Sequence, residues 1–410
     1  MILEQLNIEA REGFDINNLP FGVFSNGTAH KAIGVAIGNK VLNLSYLEEQ
    51  QLLSITAGKV FNTTTLNAFA AQGPLVRQRV RAQIQSLLSS PESRLLNVEH
   101  VQKALIDRDS VSMHYPFDTR GYTDFYSCEN HARNVGSLFR DPENALNPNW
   151  KQLPVAYHGR TSTLVASHMD IKRPQGQILN MQTKQPEFSA CKKFDFEIEM
   201  GMFVGQENTL FEPIPVAKAR EHLFGFTIVN DWSARDIQAW EYVPLGPFLG
   251  KNFLTSVSPW VVTPEALESF EQDMQQQEPV PVEYLQQEKR KTYSICIEAI
   301  LTTASGHTEV ISTTSYTHQH WSQEQQFAHH TINGCKMNTG DLLATGTLSG
   351  TAENSLGCLL EMTQNGKKPI ALSNGETRTF LQDGDTLTLS AYAKNKDTTI
   401  SFGSISGTIT

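Results

Sequence analysis

Cysteine is scarce. The five thiols in 410 residues (Cys128, Cys191, Cys296, Cys335 and Cys358) are scattered, odd in number and without a CxxC pair. That argues against a disulfide framework and a thiolate zinc site, and it suits a reducing compartment. Basic charge is also short: 33 Lys and Arg against 43 Asp and Glu leave a formal net charge of −10 at pH 7. A surface of that sign repels a phosphate backbone and excludes general nucleic-acid binding. No apolar run approaches the roughly 20 residues that cross a bilayer. The opening MILEQLNIEAREGFD is too acidic and too broken for a signal peptide. No repeat of fixed period appears. The expectation is a soluble, cytoplasmic protein with neither nucleic acid nor membrane as a partner.

What is present fills two cores. Hydrophobic residues make up 39% of the chain, and single cores stop growing beyond about 250–300 residues, so two domains are expected. In AIGVAIGNKVLNL, Gly38-Asn39 supplies a tight turn between two strand-like runs and predicts a hairpin. Residues 75–91 carry apolar side chains at helical spacing and stop near Pro91, and LNVEHVQKALI adds a second short helix. The texture changes near residue 116, where aromatic and charged residues begin to crowd. The runs FGFTIV, YSICIEAIL, NTGDLLATGTLSG, LLEMTQNGKK, TRTFLQDGDTLTLSAY and TISFGSISGTI then read as short strands. Few helices intervene, so a β-rich mixed or antiparallel roll fits better than a doubly wound sheet. The Gln- and Glu-rich stretch 265–290 reads as a solvated excursion, and Asn374-Gly375 and QDGD at 382–385 read as hairpin turns.

Three segments gather chemistry. In FDFEIEMGMFVG a strand would place Asp195, Glu197 and Glu199 on one face and Phe194, Phe196 and Ile198 on the other. An exposed strand can carry such charge, yet three like charges in a row repel, and something positive should cover them. In VNDWSARDIQAWEYVPLG, a helix opened by Asp231 would stack Asp231, Arg235, Gln238 and Tyr242 into a polar stripe. A plain Asp231–Arg235 surface pair is the alternative. In YTDFYSCENHARNVGSLFR, Asp124 is placed to cap a helix on which His131 faces the same way. Asp124, Glu197, Glu199 and Asp231 are hard oxygen donors with no Cys/His spacing beside them. That favours Ca²⁺ or Mg²⁺ over Zn²⁺, with Lys251 offsetting residual charge. GTLSG (346–350) and GSISG (403–407) lack the GxSxG spacing of a nucleophile elbow.

These segments, with SMHYPFDTRG, LPVAYHGR, GPFLGKNFLTSVSPW and GDLLATGTLSGTAENSLGCLLEM, resemble the fumarylacetoacetate hydrolase family in its full-length, two-domain form. The resemblance implies an α+β, β-rich fold: a small SH3-like β-barrel over 1–116 and a large mixed β-sandwich roll over 117–410. It implies metal-dependent hydrolysis of the carbon–carbon bond of 4-fumarylacetoacetate to fumarate and acetoacetate, ending tyrosine and phenylalanine breakdown, in a cytoplasmic homodimer. By the same resemblance Asp124, Glu197, Glu199 and Asp231 match calcium ligands, and Lys251 and Thr255 match a magnesium site that also touches Asp231. His131 matches the proton acceptor, Glu361 its orienting carboxylate, and Arg235, Gln238 and Lys251 the groups that stabilise the reacting oxyanion. Tyr126, Arg140, Tyr157, Gln238, Tyr242 and Thr347 match contacts to a diketo-dicarboxylate substrate. Acylpyruvate hydrolysis, keto-acid decarboxylation and dienoate isomerisation are rival reactions that use the same metal-stabilised enolate. The rival from another class is a calcium-stabilised binding module without catalysis.

Overall fold

The computed structural model describes residues 2–27, 30–55 and 58–410. The first part of the chain builds a five-stranded antiparallel sheet in the spatial order Leu105–Asp107, Lys40–Asn43, Ala32–Ile37, Phe21–Ser25, Ser112–His114. Its central hairpin turns at Gly38-Asn39 as expected, with Ile37 opposite Lys40 and Gly38 at φ 54°, a left-handed conformation that glycine adopts without strain. The expected helix is Pro74–Ser89. Gly73 precedes it at φ 80°, Pro74 occupies its first turn, and Val80, Ile84 and Leu88 form the buried stripe. The second short helix is Val98–Ala104, capped by the Asn97 side chain on the Glu99 amide.

This part docks on the rest of the chain. The Arg77 guanidinium of the Pro74–Ser89 helix pairs with Glu265 at 2.8 Å, and its Nη1 donates to the carbonyls of Leu223 and Phe224 at 2.7 and 3.0 Å. Phe69 meets Phe224 edge to face at 5.6 Å between centroids. One apolar core therefore runs across residue 116, joining Phe21, Phe61 and Phe69 to Phe203, Phe224 and Val229.

Beyond it lies a mixed seven-stranded sheet in the order Ala156–His158, Tyr122–Phe125, Leu342–Ala344, Ile198–Val204, Leu223–Asp231, Thr255–Val257, Leu164–Ala166. A five-stranded sheet, Thr308–Ser315, Cys296–Thr302, Thr386–Lys394, Thr399–Ile409 and Met169–Ile171, faces it across a second core. The two faces of Ile198–Val204 separate by strand alternation: Ile198, Met200 and Met202 enter the core between the sheets, and Phe203 enters the other. The β-rich, mixed-sheet expectation holds.

Several local expectations do not. Asp231 ends the Leu223–Asp231 strand rather than opening a helix; the helix is Arg235–Glu241, and Tyr242 caps its end. Asp124 lies within the Tyr122–Phe125 strand, and the helix after it, Glu129–Phe139, starts at Cys128 with no side-chain cap. LLEM at 359–362 is one helical turn, not a strand. FDFEIEMGMFVG is two strands. Phe194–Asp195 pairs with Ser233–Ala234, Ile198–Val204 with the strand ending at Asp231, and the chain passes between sheets at 196–197. The turn at 382–385 joins no hairpin: the strand before it, Thr377–Arg378, pairs with Ile370–Ala371, and Asp385 is buried against the Arg378 fork at 2.9 Å. The 265–290 excursion is pinned by the pairing of Glu271–Asp273 with Lys291–Tyr293, by buried Leu285, and by a Gln325–Gln277 hydrogen bond of 2.7 Å.

Candidate active site

Strand register brings three carboxylates, Asp124, Glu199 and Asp231, to one face of the seven-stranded sheet, and Glu197 joins them from the segment just before it. Glu199 lies opposite Val229, two residues before Asp231, so both acids point the same way. Gly201, two residues after Glu199, lies opposite Ala344, and Ala344 opposite Asp124. A Cβ at Gly201 would come within 2.7 Å of Val229, so a bare position lets these strands approach. Glu197 stands just ahead of the strand, its amide held by the Asn230 side chain at 3.1 Å. One oxygen from each of Asp124, Glu197, Glu199 and Asp231 lies within 4.8 Å of the others, and all four residues are buried.

Positive charge reaches only part of the cluster. The Lys251 ammonium pairs with Glu197 and, at 2.7 Å, with Asp231. Asp231 also accepts from the Thr255 hydroxyl at 2.9 Å and the Tyr157 hydroxyl at 3.1 Å. Arg235 spans Asp195 at 2.8 Å and Glu197 at 2.6 Å. Burial would push Glu197 up, but the Lys251 and Arg235 charges outweigh it and hold the group at about 2. Burial, then the charge of Asp231, pushes Asp124 well above the ordinary carboxylate range; burial, then Asp124, does the same to Glu199. Burial also raises Asp231 in spite of Lys251. Both Glu199 oxygens and Asp124 Oδ1 are buried without a hydrogen-bond partner among the described residues. Such orphaned, all-oxygen donors fit a hard divalent cation.

The second half of the site is a dyad. His131 and Asn134 share a face of the Glu129–Phe139 helix, and both reach Glu361: His131 Nδ1 lies 2.6 Å from Oε2, and Asn134 donates to Oε1 at 2.9 Å. The Ser349 hydroxyl donates to Oε2 at 2.8 Å and the Cys358 thiol at 3.1 Å. Burial would raise Glu361, but His131, Asn134 and Cys358 more than offset it and hold the group below the ordinary carboxylate range. An anionic Glu361 places the imidazole proton on Nδ1 and leaves Nε2 as the accepting nitrogen. The Cys358 thiol is pushed well up by burial and by Glu361, so it acts as a donor.

The tertiary structure thus gathers Asp124, Glu197, Glu199, Asp231, Lys251, Thr255, Tyr157 and Arg235 at one end and His131 with Glu361 at the other. Tyr126 packs its ring on His131, edge to face at 5.2 Å. Thr347 is buried with its hydroxyl unpartnered among the described residues. Gln238 touches Arg235 at 3.5 Å. Arg140 and Tyr242 stay outside these contacts: Arg140 is exposed and folds back on the Ala145 carbonyl, and Tyr242 is exposed at the helix end. The alternative of a plain Asp231–Arg235 surface pair does not hold, because a strand end and a helix start point these side chains to different partners. The sequence reading missed Asn134, Ser349 and Cys358 around Glu361, since nothing in their spacing marks a cage built from separate segments. A cavity of about 190 Å³ reaches the cluster past Tyr122, Tyr157, Phe248 and Lys251. A larger one, about 1020 Å³, opens beside Asn134 and Glu361 and does not touch the four carboxylates.

Known proteins share this layout of sequence. The family described as Fumarylacetoacetate (FAA) hydrolase C-terminal matches residues 120–410, and Fumarylacetoacetase N-terminal matches residues 17–116. The chain is 45% identical to the fumarylacetoacetase of Bos taurus over 97% of its own length and 96% of that protein's. It is 45% identical to the fumarylacetoacetase of Arabidopsis thaliana over 98% and 97%. Among solved structures, a fumarylacetoacetate hydrolase from the psychrophilic Exiguobacterium antarcticum superposes with a TM-score of 0.53 at 16% identity, covering 95% of this chain and 99% of that one, a likeness of fold alone. With both parts matched and the identity sustained end to end, the chain belongs to the fumarylacetoacetate hydrolase family.

Proposed function

We propose that this chain catalyses the reaction of the fumarylacetoacetases it is similar to: hydrolysis of the carbon–carbon bond of 4-fumarylacetoacetate to fumarate and acetoacetate, closing tyrosine and phenylalanine breakdown. The observation that carries the reading is a buried histidine–carboxylate dyad together with a buried four-carboxylate cluster. The dyad separates a hydrolase from a metal-stabilised binding module, which needs no base.

Asp124, Glu197, Glu199 and Asp231 would hold the divalent cation, Ca²⁺ first, with Mg²⁺ as alternative or second ion near Lys251 and Thr255. When bound, the cation supplies Lewis-acid stabilisation of the negative charge that develops on the diketone. His131 Nε2, left free by the Nδ1–Glu361 contact, takes a proton from water. The water oxygen attacks the ketone carbon of the fumaryl group, which becomes the new carboxylate of fumarate. Arg235, whose Nη2 is buried and unpartnered among the described residues, meets the resulting oxyanion with Gln238 and Lys251. A single such donor is worth about 10²–10³ in kcat. The carbon–carbon bond then breaks with its electron pair on the acetoacetyl carbon, and the His131 proton is delivered there. Arg140 takes a terminal carboxylate, for which its fork is suited once it leaves the Ala145 carbonyl. Tyr126, Tyr157, Tyr242 and Thr347 line the substrate.

The protein acts in the cytoplasm as a homodimer, with an SH3-like domain over 1–116 and the catalytic roll over 117–410. Exposed Val243, Leu245 and Phe248 beside the site are apolar surface that a second copy would cover. Light scattering that gave a monomer mass would reject the dimer. The activity test is direct. Purified protein given 4-fumarylacetoacetate should bleach the diketone absorbance and release equal amounts of fumarate and acetoacetate; chelator should stop it, and calcium or magnesium should restore it. Unchanged absorbance with either ion present rejects the reading.

A further inference from the structure

The first acid of FDFEIEM has no part in the cluster or the dyad. Asp195 is fully buried, and its carboxylate accepts from four donors: the amides of Phe196 at 2.9 Å, Leu359 at 2.8 Å and Leu360 at 2.9 Å, and Arg235 Nε at 2.8 Å. Each donor outside its own strand belongs to a segment that carries active-site chemistry. Leu359 and Leu360 open the single helical turn that bears Glu361, and Arg235 extends its other arm to Glu197.

A turn of four residues has little helical stability of its own, since nucleation is unfavourable and its first amides lack partners. Its N-cap residue, Cys358, supplies no capping hydrogen bond. Asp195, more than 160 positions away in sequence, satisfies two of those amides. The same carboxylate holds the Arg235 fork in the plane that reaches Glu197. A purely structural buried carboxylate could be satisfied anywhere; this one is satisfied by the supports of both halves of the site.

We propose that Asp195 is a positioning residue that locks the Glu361–His131 dyad in register with the Arg235–Glu197 wall, so that the base and the oxyanion donor face the same carbonyl. The proposal rests on the hydrolytic reading of the site. A loss of register of about 1 Å costs about 100-fold in rate.

The test is Asp195→Asn, which keeps the side-chain shape and removes the charge and one acceptor. With 4-fumarylacetoacetate, kcat should fall about 100-fold while KM stays within about threefold. Amide exchange in 357–363 should accelerate while the Pro74–Ser89 helix keeps its protection. In a double-mutant cycle, Asp195→Asn combined with Glu361→Gln should lose no more than the worse single variant, because both act through the same dyad. Losses that multiply, or a kcat within threefold of wild type, overturn the proposal. If Asp195→Asn does not fold, Asp195→Ser replaces it; failure of both assigns Asp195 to folding and equally overturns positioning. A wild-type protein without activity refutes the hydrolytic reading instead, so the two failures are distinguishable.

Discussion

Glu199→Gln should act with opposite sign in the absence and presence of a divalent cation. Lys251 and Arg235 lean on Glu197 and Asp231, and no salt bridge reaches Asp124 or Glu199 among the described residues. Two unit charges no more than 4.8 Å apart repel by about 3.5 kcal/mol at an effective dielectric near 20. Proton uptake relieves part of that, so in chelator the variant should be more stable than wild type by about 1–3 kcal/mol. With an unfolding entropy of about 2.1 cal/mol/K per residue, the midpoint should rise by about 1–4 °C. The Glu199 pKa is raised in the folded chain, by burial and then Asp124. Its contribution is therefore present below the ordinary pKa and lost as pH rises through the raised one. Chelated wild type should thus lose midpoint from mildly acid to mildly alkaline buffer more steeply than the variant. With cation the order should reverse, since loss of a ligand should weaken binding about 100-fold or more, equivalent to about 2.7 kcal/mol of lost stabilisation. Scanning calorimetry in chelator and in calcium, with calorimetric titration of stripped protein, reads all of this. A variant that binds calcium like wild type, or is less stable than wild type in chelator, refutes the ligand assignment.

His131→Ala should lower kcat by about 10²–10⁴ and leave calorimetric metal binding intact; retention of most activity would remove the general-base role. Glu361→Gln should reduce kcat far more than it changes KM in steady-state assays, and an effect confined to KM would contradict an orienting role. Arg77→Ala should destabilise by about 3–5 kcal/mol in denaturant melts, because it leaves the part-buried Glu265 without its partner and the carbonyls of Leu223 and Phe224 without a donor. A melt within 1 kcal/mol of wild type, roughly the scale of a surface pair, would show that this docking contact carries no weight.

Local signals were legible where a few neighbouring residues decide the backbone. Gly38-Asn39 made its hairpin and Pro74–Ser89 its helix, since turn geometry and apolar spacing act within one or two turns of chain. They misled where a distant partner decides. LLEM reads as apolar strand, yet Asp195 turns it into a helix start. Asp231 reads as a helix opener, yet pairing with Thr255 extends its strand.

The residue types present, acids in three segments of a chain short of metal-binding thiols, already favoured hard oxygen donors and a cation such as Ca²⁺ or Mg²⁺ over zinc, whereas a base role for His131 came only from the resemblance to the family. Only the tertiary structure decided which acids share a face, which one turns away to brace Arg235 and the Glu361 turn, and which cations are spoken for. Side-chain type is written residue by residue, whereas strand register and burial depend on contacts between segments far apart in the chain, and those contacts set both the charges and the geometry of the site.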